Sequence, residues 1–215
     1  MQTLIIILIL ILISYLIGSI PFSVVVGKVF YKKDVRNEGS GNAGATNTFR
    51  VLGATAGMIV LVLDITKGIA APLLGHFIHP ENISSIQFVY LQMILGLAAA
   101  FGHIFPVYLG FKGGKGVATF FGVVLYLFPV AAIICMITFF ITFLITHYVS
   151  LGSLIASVTF AFSVLTWYAD ADKLPIVIFG LAIPVVIMIT HRKNIKRLIN
   201  GTESKLYFTK KSTPL

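Results

Sequence analysis

Residues 39–50 read GSGNAGATNTFR, a polar stretch that ends on an arginine and lies between two long apolar runs. Its glycines allow tight turns that bring backbone N–H groups close to a ligand. Arg50 adds a planar fork of donors suited to phosphate, and the stretch contains no acid that would repel an anion. Composition alone also fits a flexible polar loop between membrane helices. The stretch is therefore a candidate anion site that needs support from elsewhere in the chain.

A second stretch has the same kind of composition. Residues 111–119 read FKGGKGVAT, in which glycines, two lysines and a hydroxyl again precede an apolar run. Free N–H groups and the dipole at the start of a helix attract an anion. The stretch is not a Walker A loop, because the glycine spacing and the Ser/Thr after lysine are missing, so ATP hydrolysis is not expected. A topogenic positive patch is the alternative. The two glycine loops together predict a substrate that carries phosphate.

The composition is that of a membrane protein. Of the 215 residues, 58% are hydrophobic and only 11% are charged, whereas soluble domains carry about 25% charged residues. We predict one all-α integral-membrane domain over residues 1–215, with a kink near Pro21 and a short fourth span. The seven predicted transmembrane helices are Leu4–Val26, Ala54–Leu74, Ile86–Ile104, Val117–Phe128, Val130–Thr146, Leu154–Trp167 and Leu174–Thr190.

The basic residues predict an orientation. Fourteen of the 16 Lys and Arg residues lie in the odd-numbered loops or the tail, where both glycine loops also lie. The positive-inside rule then places the N-terminus outside and the C-terminus in the cytoplasm. The net charge of +9 does not indicate nucleic acid, because no segment outside the membrane is long enough to form a basic face with interleaved aromatic residues. No cluster of His, Cys and acids has the spacing of metal ligands.

Two further pairs of residues could contribute chemistry. His191 and Asn194 share a face if the tail is helical, and His191 could move a proton, bond a phosphate, or be an ordinary interfacial histidine. Asp64 and Lys67 lie within the second predicted span, where charges are costly and are paired or face a cavity. A structural ion pair behind the site and a direct catalytic role are both open for this pair.

Seven segments carry a resemblance to a known family. They are GSIPFS at 18–23, the first glycine loop at 39–50, DITKG at 64–68, GHIFP at 102–106, the second glycine loop at 111–119, SLGS at 150–153, and HRKNI with GTE at 191–203. Over nearly its whole length the chain resembles the PlsY family of integral-membrane acyl-phosphate:glycerol-3-phosphate acyltransferases. One departure is His147, where the family pattern leads us to expect an arginine.

The resemblance implies a seven-helix fold in the bacterial cytoplasmic (inner) membrane, with the site facing the cytoplasm. It also implies transfer of an acyl group from a fatty acyl-phosphate to sn-glycerol 3-phosphate, giving 1-acylglycerol 3-phosphate and inorganic phosphate, in the first acylation step of phospholipid synthesis. The expected partners are these two substrates and membrane lipid, without nucleic acid, ATP, coenzyme A or any cofactor. A small anion transporter or a phosphate-lipid-binding protein is the competing class, which the concentration of polar groups on one membrane face disfavours.

The resemblance and the two loops together give the expected site residues. The expected catalytic residues are His191, Asn194, Ser40 and Arg50. The residues expected to bind substrate phosphate are Gly41, Asn42, Thr46, Asn47, Lys112, Gly113, Gly114, Lys115, Gly116, Ser150 and Ser153. No serine lies in a nucleophile elbow, which favours direct attack by the glycerol hydroxyl over an acyl-enzyme. Either His191 or a substrate phosphate oxygen could be the base.

Overall fold

The computed structural model describes residues 2–78, 83–168 and 173–207 as a bundle of α-helices. In chain order the helices are α1 (Gln2–Ser19), α2 (Phe22–Tyr31), α3 (Ala45–Leu52), α4 (Ala54–Leu73), α5 (Ser85–Ile104), α6 (Val117–Leu127), α7 (Pro129–Thr146), α8 (Val149–Tyr168), α9 (Leu174–Thr190) and α10 (Arg192–Ile199). Short 3₁₀ turns cover Val35–Asn37, Leu74–Phe77 and Val107–Leu109. No strand occurs within these ranges, so the predicted all-α class is confirmed.

Five helical stretches are long and apolar enough to cross a membrane. They are Gln2–Ser19, Ala54–Phe77, Ser85–Leu109, Pro129–Thr146 and Val149–Tyr168. A sixth is reached if α9 and α10 count as one span, although the two helices are bent by 67°. The 11 residues of α6 make a helix of about 16 Å, which is short for a bilayer core of about 30 Å. Helix length and composition therefore support five or six of the seven predicted spans.

The first predicted span is not one continuous helix. It is interrupted after Ser19, and α2 begins at Phe22. Pro21 has no backbone N–H to donate to the preceding turn, so the helix cannot run through it. The kink expected near Pro21 within the predicted span Leu4–Val26 is present as a complete break between two helices.

Two loop boundaries also differ from the prediction. The region from Gly27 to Gly53 is not all loop, because α2 continues to Tyr31 and α3 occupies Ala45–Leu52. The sixth predicted span, Leu154–Trp167, corresponds to α8, which begins at Val149, so the SLGS segment is helical. Its serines are tolerated there because a hydroxyl can bond the carbonyl one turn earlier, as Ser153 Oγ does to the Val149 oxygen over 2.9 Å.

Close contacts between glycines and backbone fix the helix packing. A Cβ on Gly18 of α1 would overlap the carbonyl oxygen of Ala99 on α5. A Cβ on Gly68 of α4 would likewise overlap the carbonyl of Thr119 on α6. Small residues let membrane helices approach this closely and gain van der Waals contact. The largest buried cluster lies among α5 to α9, where the rings of Phe128 and Phe160 meet edge to face at 5.7 Å.

Candidate active site

The tail folds back over one end of the helix bundle. After α10, Gly201 turns the chain with a φ of +67°, a conformation that favours glycine. The N–H of Leu206 then donates to the carbonyl of His147 over 2.9 Å. This return path buries Glu203, which is only 7% exposed. The tail therefore contributes an acid to the site in addition to its topogenic charges.

Glu203 is the centre of a buried polar cluster. Its Oε1 accepts hydrogen bonds from Ser150 Oγ over 2.7 Å and from Asn194 Nδ2 over 2.6 Å. Its Oε2 accepts one from Arg197 Nε over 2.7 Å. Burial alone would raise the pKa of Glu203, but the bonds donated by Asn194, Arg197 and Ser150 lower that pKa below its ordinary value. An ionised Glu203 thus ties the start of α8 to α10.

Lys115 joins the second glycine loop to this cluster. Its Nζ donates to Asn194 Oδ1 over 2.6 Å, and its carbonyl accepts a hydrogen bond from Thr190 Oγ1 over 3.2 Å. Burial lowers the pKa of Lys115 to about 8, opposed by nearby Glu203 and assisted by Arg197 and Arg50. A partly desolvated ammonium of this kind gains from a bound anion, because the anion would restore the lost solvation.

His191 lies immediately beyond the end of α9 and is 2% exposed. Its Nδ1 is 2.8 Å from the carbonyl oxygen of Ile187, which assigns the proton of a neutral ring to Nδ1. Burial, with the charge of Lys115, lowers the pKa of His191 to about 4. At neutral pH the ring is therefore uncharged, and its Nε2 can accept a hydrogen bond from a substrate hydroxyl.

Arg50 approaches the same region from α3. Its Nη2 donates to the carbonyl of Ser204 over 3.1 Å, next to Glu203 in the tail. Its Nε is buried without a hydrogen-bond partner within the described chain. A buried, unsatisfied donor on a guanidinium calls for an explanation, and a bound phosphate oxygen would supply one.

Asn47 has a different position from the one expected for a ligand-binding amide. It is 1% exposed, and its Nδ2 donates to the carbonyls of Val35 and Glu38 over 2.6 and 3.1 Å. Its Oδ1 accepts from the N–H and the hydroxyl of Ser40 over 2.8 and 3.1 Å. Asn47 therefore uses its amide to shape the first glycine loop and to orient Ser40, instead of facing a substrate.

The remaining predicted residues of the first loop are more accessible. Gly41 has a φ of +70° and is exposed, and its N–H donates to the carbonyl of Glu38 over 3.1 Å. The side chains of Asn42 and Thr46 are partly exposed and form no hydrogen bond with the described residues. These two side chains are free to meet a ligand at the start of α3.

The second loop does not offer all of its N–H groups to an anion. The N–H of Gly113 donates to the carbonyl of Ile104, and that of Gly114 to the carbonyl of His103, each over 3.1 Å. Gly116 directly precedes α6 and has a φ of +81°. Lys112 is exposed, so Lys115 is the lysine of this loop that reaches the cluster. The expected cradle of glycine N–H groups is thus largely replaced by one positioned ammonium.

The two glycine loops lie against each other. A Cβ on Gly114 would be 2.9 Å from the carbonyl oxygen of Ala43 in the first loop. Ser153, by contrast, is turned toward its own helix by its bond to Val149, while Ser150 faces Glu203. The structure therefore brings Arg50, Lys115, Ser150, His191 and Asn194 together, with both loops adjacent.

Sequence reasoning gave no role to Glu203 or Arg197. The signal for Glu203 was available, because it is the only acid in the basic tail after Thr190. An acid kept among so many cations indicates a specific ion pair, here with Arg197 at 2.7 Å. Within the described ranges, no group of three or more His, Cys, Asp or Glu side chains is placed to hold a metal ion.

The glycerol-3-phosphate acyltransferase family model matches residues 8–201, which is most of the chain. The chain belongs to this family. The acyltransferase of Macrococcus caseolyticus is 44% identical over 201 residues, covering 94% of this chain and 97% of that protein. "Glycerol-3-phosphate acyltransferase 2" of Bacillus anthracis is 48% identical over 196 residues, covering 91% of this chain and 96% of that protein. The resemblance to the PlsY family is confirmed.

Two solved structures of PlsY, an integral membrane glycerol 3-phosphate acyltransferase, share this acyltransferase fold. Its glycerol 3-phosphate form matches with a TM-score of 0.83 and 35% identity, covering 94% of this chain and 96% of that one. Its lysophosphatidic acid form matches with a TM-score of 0.79 at the same identity and coverage. Together with the apolar helices, this similarity supports an integral membrane protein.

Proposed function

We propose that this acyltransferase moves a fatty acyl group from an acyl phosphate to the 1-hydroxyl of sn-glycerol 3-phosphate, the first acylation of phospholipid synthesis. The observation that carries the proposal is the convergence of Arg50, Lys115 and neutral His191 around buried Glu203. Two cations suit the phosphates of two substrates, and the uncharged imidazole suits a hydroxyl. The solved relatives in their glycerol 3-phosphate and lysophosphatidic acid forms add support.

The reaction is a direct transfer. The glycerol hydroxyl oxygen attacks the acyl carbonyl carbon, the bond from that carbon to the phosphate oxygen breaks, and inorganic phosphate leaves. The hydroxyl proton passes either to His191 Nε2 or to an oxygen of a substrate phosphate. An acyl phosphate is already activated, so the proposal includes no ATP, coenzyme A or other cofactor.

Each residue has a distinct role in this scheme. Arg50 and Lys115 bind phosphate oxygens and stabilise the charge that develops on the departing phosphate. Asn194 holds the ammonium of Lys115 through its 2.6 Å hydrogen bond. Ser40, oriented by Asn47, and the free side chains of Asn42 and Thr46 complete the polar wall. The acyl chain would lie between helices or against lipid.

We also propose seven membrane passages, with the N-terminus outside and the site facing the cytoplasm. The site residues lie at the start of α6, the start of α8 and the end of α9. Helices that run alternately up and down bring these three ends to one face, and the same alternation puts the start of α1 at the opposite face. The positive-inside rule assigns the basic site face to the cytoplasm. The bacterial cytoplasmic membrane is the location that this orientation implies.

The proposal is tested with purified protein in detergent, supplied with a fatty acyl phosphate and isotopically labelled glycerol 3-phosphate. We expect labelled 1-acylglycerol 3-phosphate and one inorganic phosphate per product, without added nucleotide. Binding of glycerol 3-phosphate without product, or its movement across vesicle membranes, would instead identify a binding protein or a transporter. Lys115→Ala is the matched control for activity that arises from contaminating enzymes.

A further inference from the structure

A second buried cluster lies beneath the site and has no role in the reaction described above. It consists of Asp64 and Lys67 on α4 and His103 on α5, which are 2%, 4% and 7% exposed. Lys67 Nζ is 2.8 Å from Asp64 Oδ1, and His103 Nδ1 is 3.5 Å from the same oxygen. Charges buried within membrane helices are costly and are kept where they hold a defined arrangement.

One contact of this cluster reaches the break in the first span. Lys67 Nζ donates to the carbonyl of Ile20 over 3.1 Å, between the end of α1 and the start of α2. The same ammonium lies 5.6 Å from the ring centroid of Phe22. Lys67 therefore stabilises the Ile20 carbonyl at this break, where the N–H of Phe22 is the other donor, over 3.1 Å.

The other contact reaches the second glycine loop. A Cβ on Gly114 would overlap Nε2 of His103, so this loop lies directly on the imidazole. The carbonyls of His103 and Ile104 accept the N–H groups of Gly114 and Gly113 over 3.1 Å. The next residue along the chain is Lys115, whose ammonium bonds Asn194. The position of Lys115 thus depends on the contacts that the ring and carbonyl of His103 make with Gly114.

We propose that Asp64, Lys67 and His103 are positioning residues that fix the second glycine loop, so that Lys115 reaches Asn194 and a substrate phosphate. Asp64 orients the imidazole, and the imidazole and the adjacent carbonyls support Gly113 and Gly114. This inference rests on the proposed function, because it assigns Lys115 a substrate contact. The three residues thus act on the site through the second glycine loop and do not contact the reacting atoms.

A double-mutant cycle tests whether His103 acts through Lys115. His103→Ala, Lys115→Ala and the double variant are compared by kcat and KM for glycerol 3-phosphate, normalised to folded protein. We expect each single change to lower kcat/KM by about tenfold or more, which corresponds to the loss of one charge-assisted contact. The double variant should lie within about twofold of Lys115→Ala, because the two residues serve one interaction. Losses that simply multiply would overturn the proposal.

Two control variants separate positioning from general destabilisation. His103→Gln keeps comparable volume and a donor toward Asp64, so it should recover most of the kcat/KM that His103→Ala loses. His76→Ala removes an exposed histidine that contacts Tyr126 OH at 3.0 Å, and it should leave the kinetics unchanged. Wild-type kinetics in a folded His103→Ala protein would contradict the proposal.

A readout without turnover keeps this inference separate from the proposed function. Modification of Lys115 by an amine-specific reagent can be followed by mass spectrometry in wild type, His103→Ala and His76→Ala. Release of the loop should speed modification of Lys115 in His103→Ala alone. An unchanged rate would refute the positioning role even if the protein proved to catalyse another reaction. Absence of acyl transfer by the wild type, with faster modification in His103→Ala, would refute only the proposed function.

Discussion

The ammonium of Lys115 donates to Asn194 Oδ1 over 2.6 Å, which joins two residues 79 positions apart in the chain. The same Asn194 donates its Nδ2 to Glu203 over 2.6 Å. An amide thus bridges the cation of the glycine loop and the anion of the tail, so the two charges are coupled without touching. Lys115 retains two further donors for a substrate.

The two site cations should each be needed for activity. Arg50→Lys keeps the charge but loses the planar fork, and Lys115→Ala removes the ammonium, so both should lower the rate. Losing one charge-assisted phosphate contact should cost roughly 1.5–3 kcal/mol, or about 10- to 150-fold in kcat/KM. Steady-state assays at saturating acyl phosphate provide the measurement, with exposed Lys112→Ala as a comparison for surface charge. Wild-type rates in both variants would contradict this role and would mean that the basic residues of the loops only set the orientation of the protein in the membrane.

His191→Ala distinguishes an orienting residue from a general base. We expect an orienting role. Neutral His191 can accept a hydrogen bond from the glycerol hydroxyl, while substrate phosphate oxygens are available to take the proton. The variant should then mainly raise KM for glycerol 3-phosphate and keep the acidic limb of the pH–rate profile. If His191 is the base instead, kcat should fall by about 10²–10⁴ and the acidic limb should disappear. The pH–rate profiles of both proteins decide between these outcomes.

Glu203→Gln should destabilise the protein and flatten its acid sensitivity. The pKa of Glu203 is lowered on folding, so its stabilisation is fully present above the pKa of the unfolded chain. It is lost as the pH falls through the lower folded-state value. Replacing a buried acceptor of three bonds should cost roughly 1–3 kcal/mol at pH 7. Thermal unfolding in detergent from pH 7 downward should show the two proteins converging; parallel curves would contradict this role.

Orientation can be tested with single cysteines in a protein from which Cys135 has been removed. A cysteine at Glu81 or Asp170, which both lie outside the described residues, should react with an impermeant thiol reagent added to intact cells. One at Asn37 should react only after the cells are opened, because the basic loops face the cytoplasm. The reverse pattern would place the site on the outer side of the membrane.

Local composition allowed much of the helical framework to be predicted. The predicted bounds Leu174–Thr190 coincide with α9, because an apolar run between polar flanks has few alternatives in a membrane. Residues 45–52 were interpreted as part of a loop because the stretch around them is basic and rich in glycine. They form helix α3 instead, and packing against α4 and α2 stabilises this helix. Tertiary packing overrides weak local preference in such cases.

Part of the site could also be predicted from the sequence. Residue chemistry indicated Arg50, Lys115, His191 and Asn194, which the structure brings together. Glycine content could not show that the N–H groups of Gly113 and Gly114 bond to α5, since this depends on how α5 ends. The pair Asp64 and Lys67 was anticipated, whereas the contribution of His103 required the packing of α4 on α5.

The choice of acyl donor tests the account most directly. Purified protein is given glycerol 3-phosphate with a fatty acyl phosphate, or with the same acyl group as its coenzyme A thioester, and lysophosphatidic acid is measured alongside inorganic phosphate. The account predicts product from the acyl phosphate alone, with equimolar phosphate release and strong loss in Lys115→Ala. Product from the thioester with none from the acyl phosphate would contradict it.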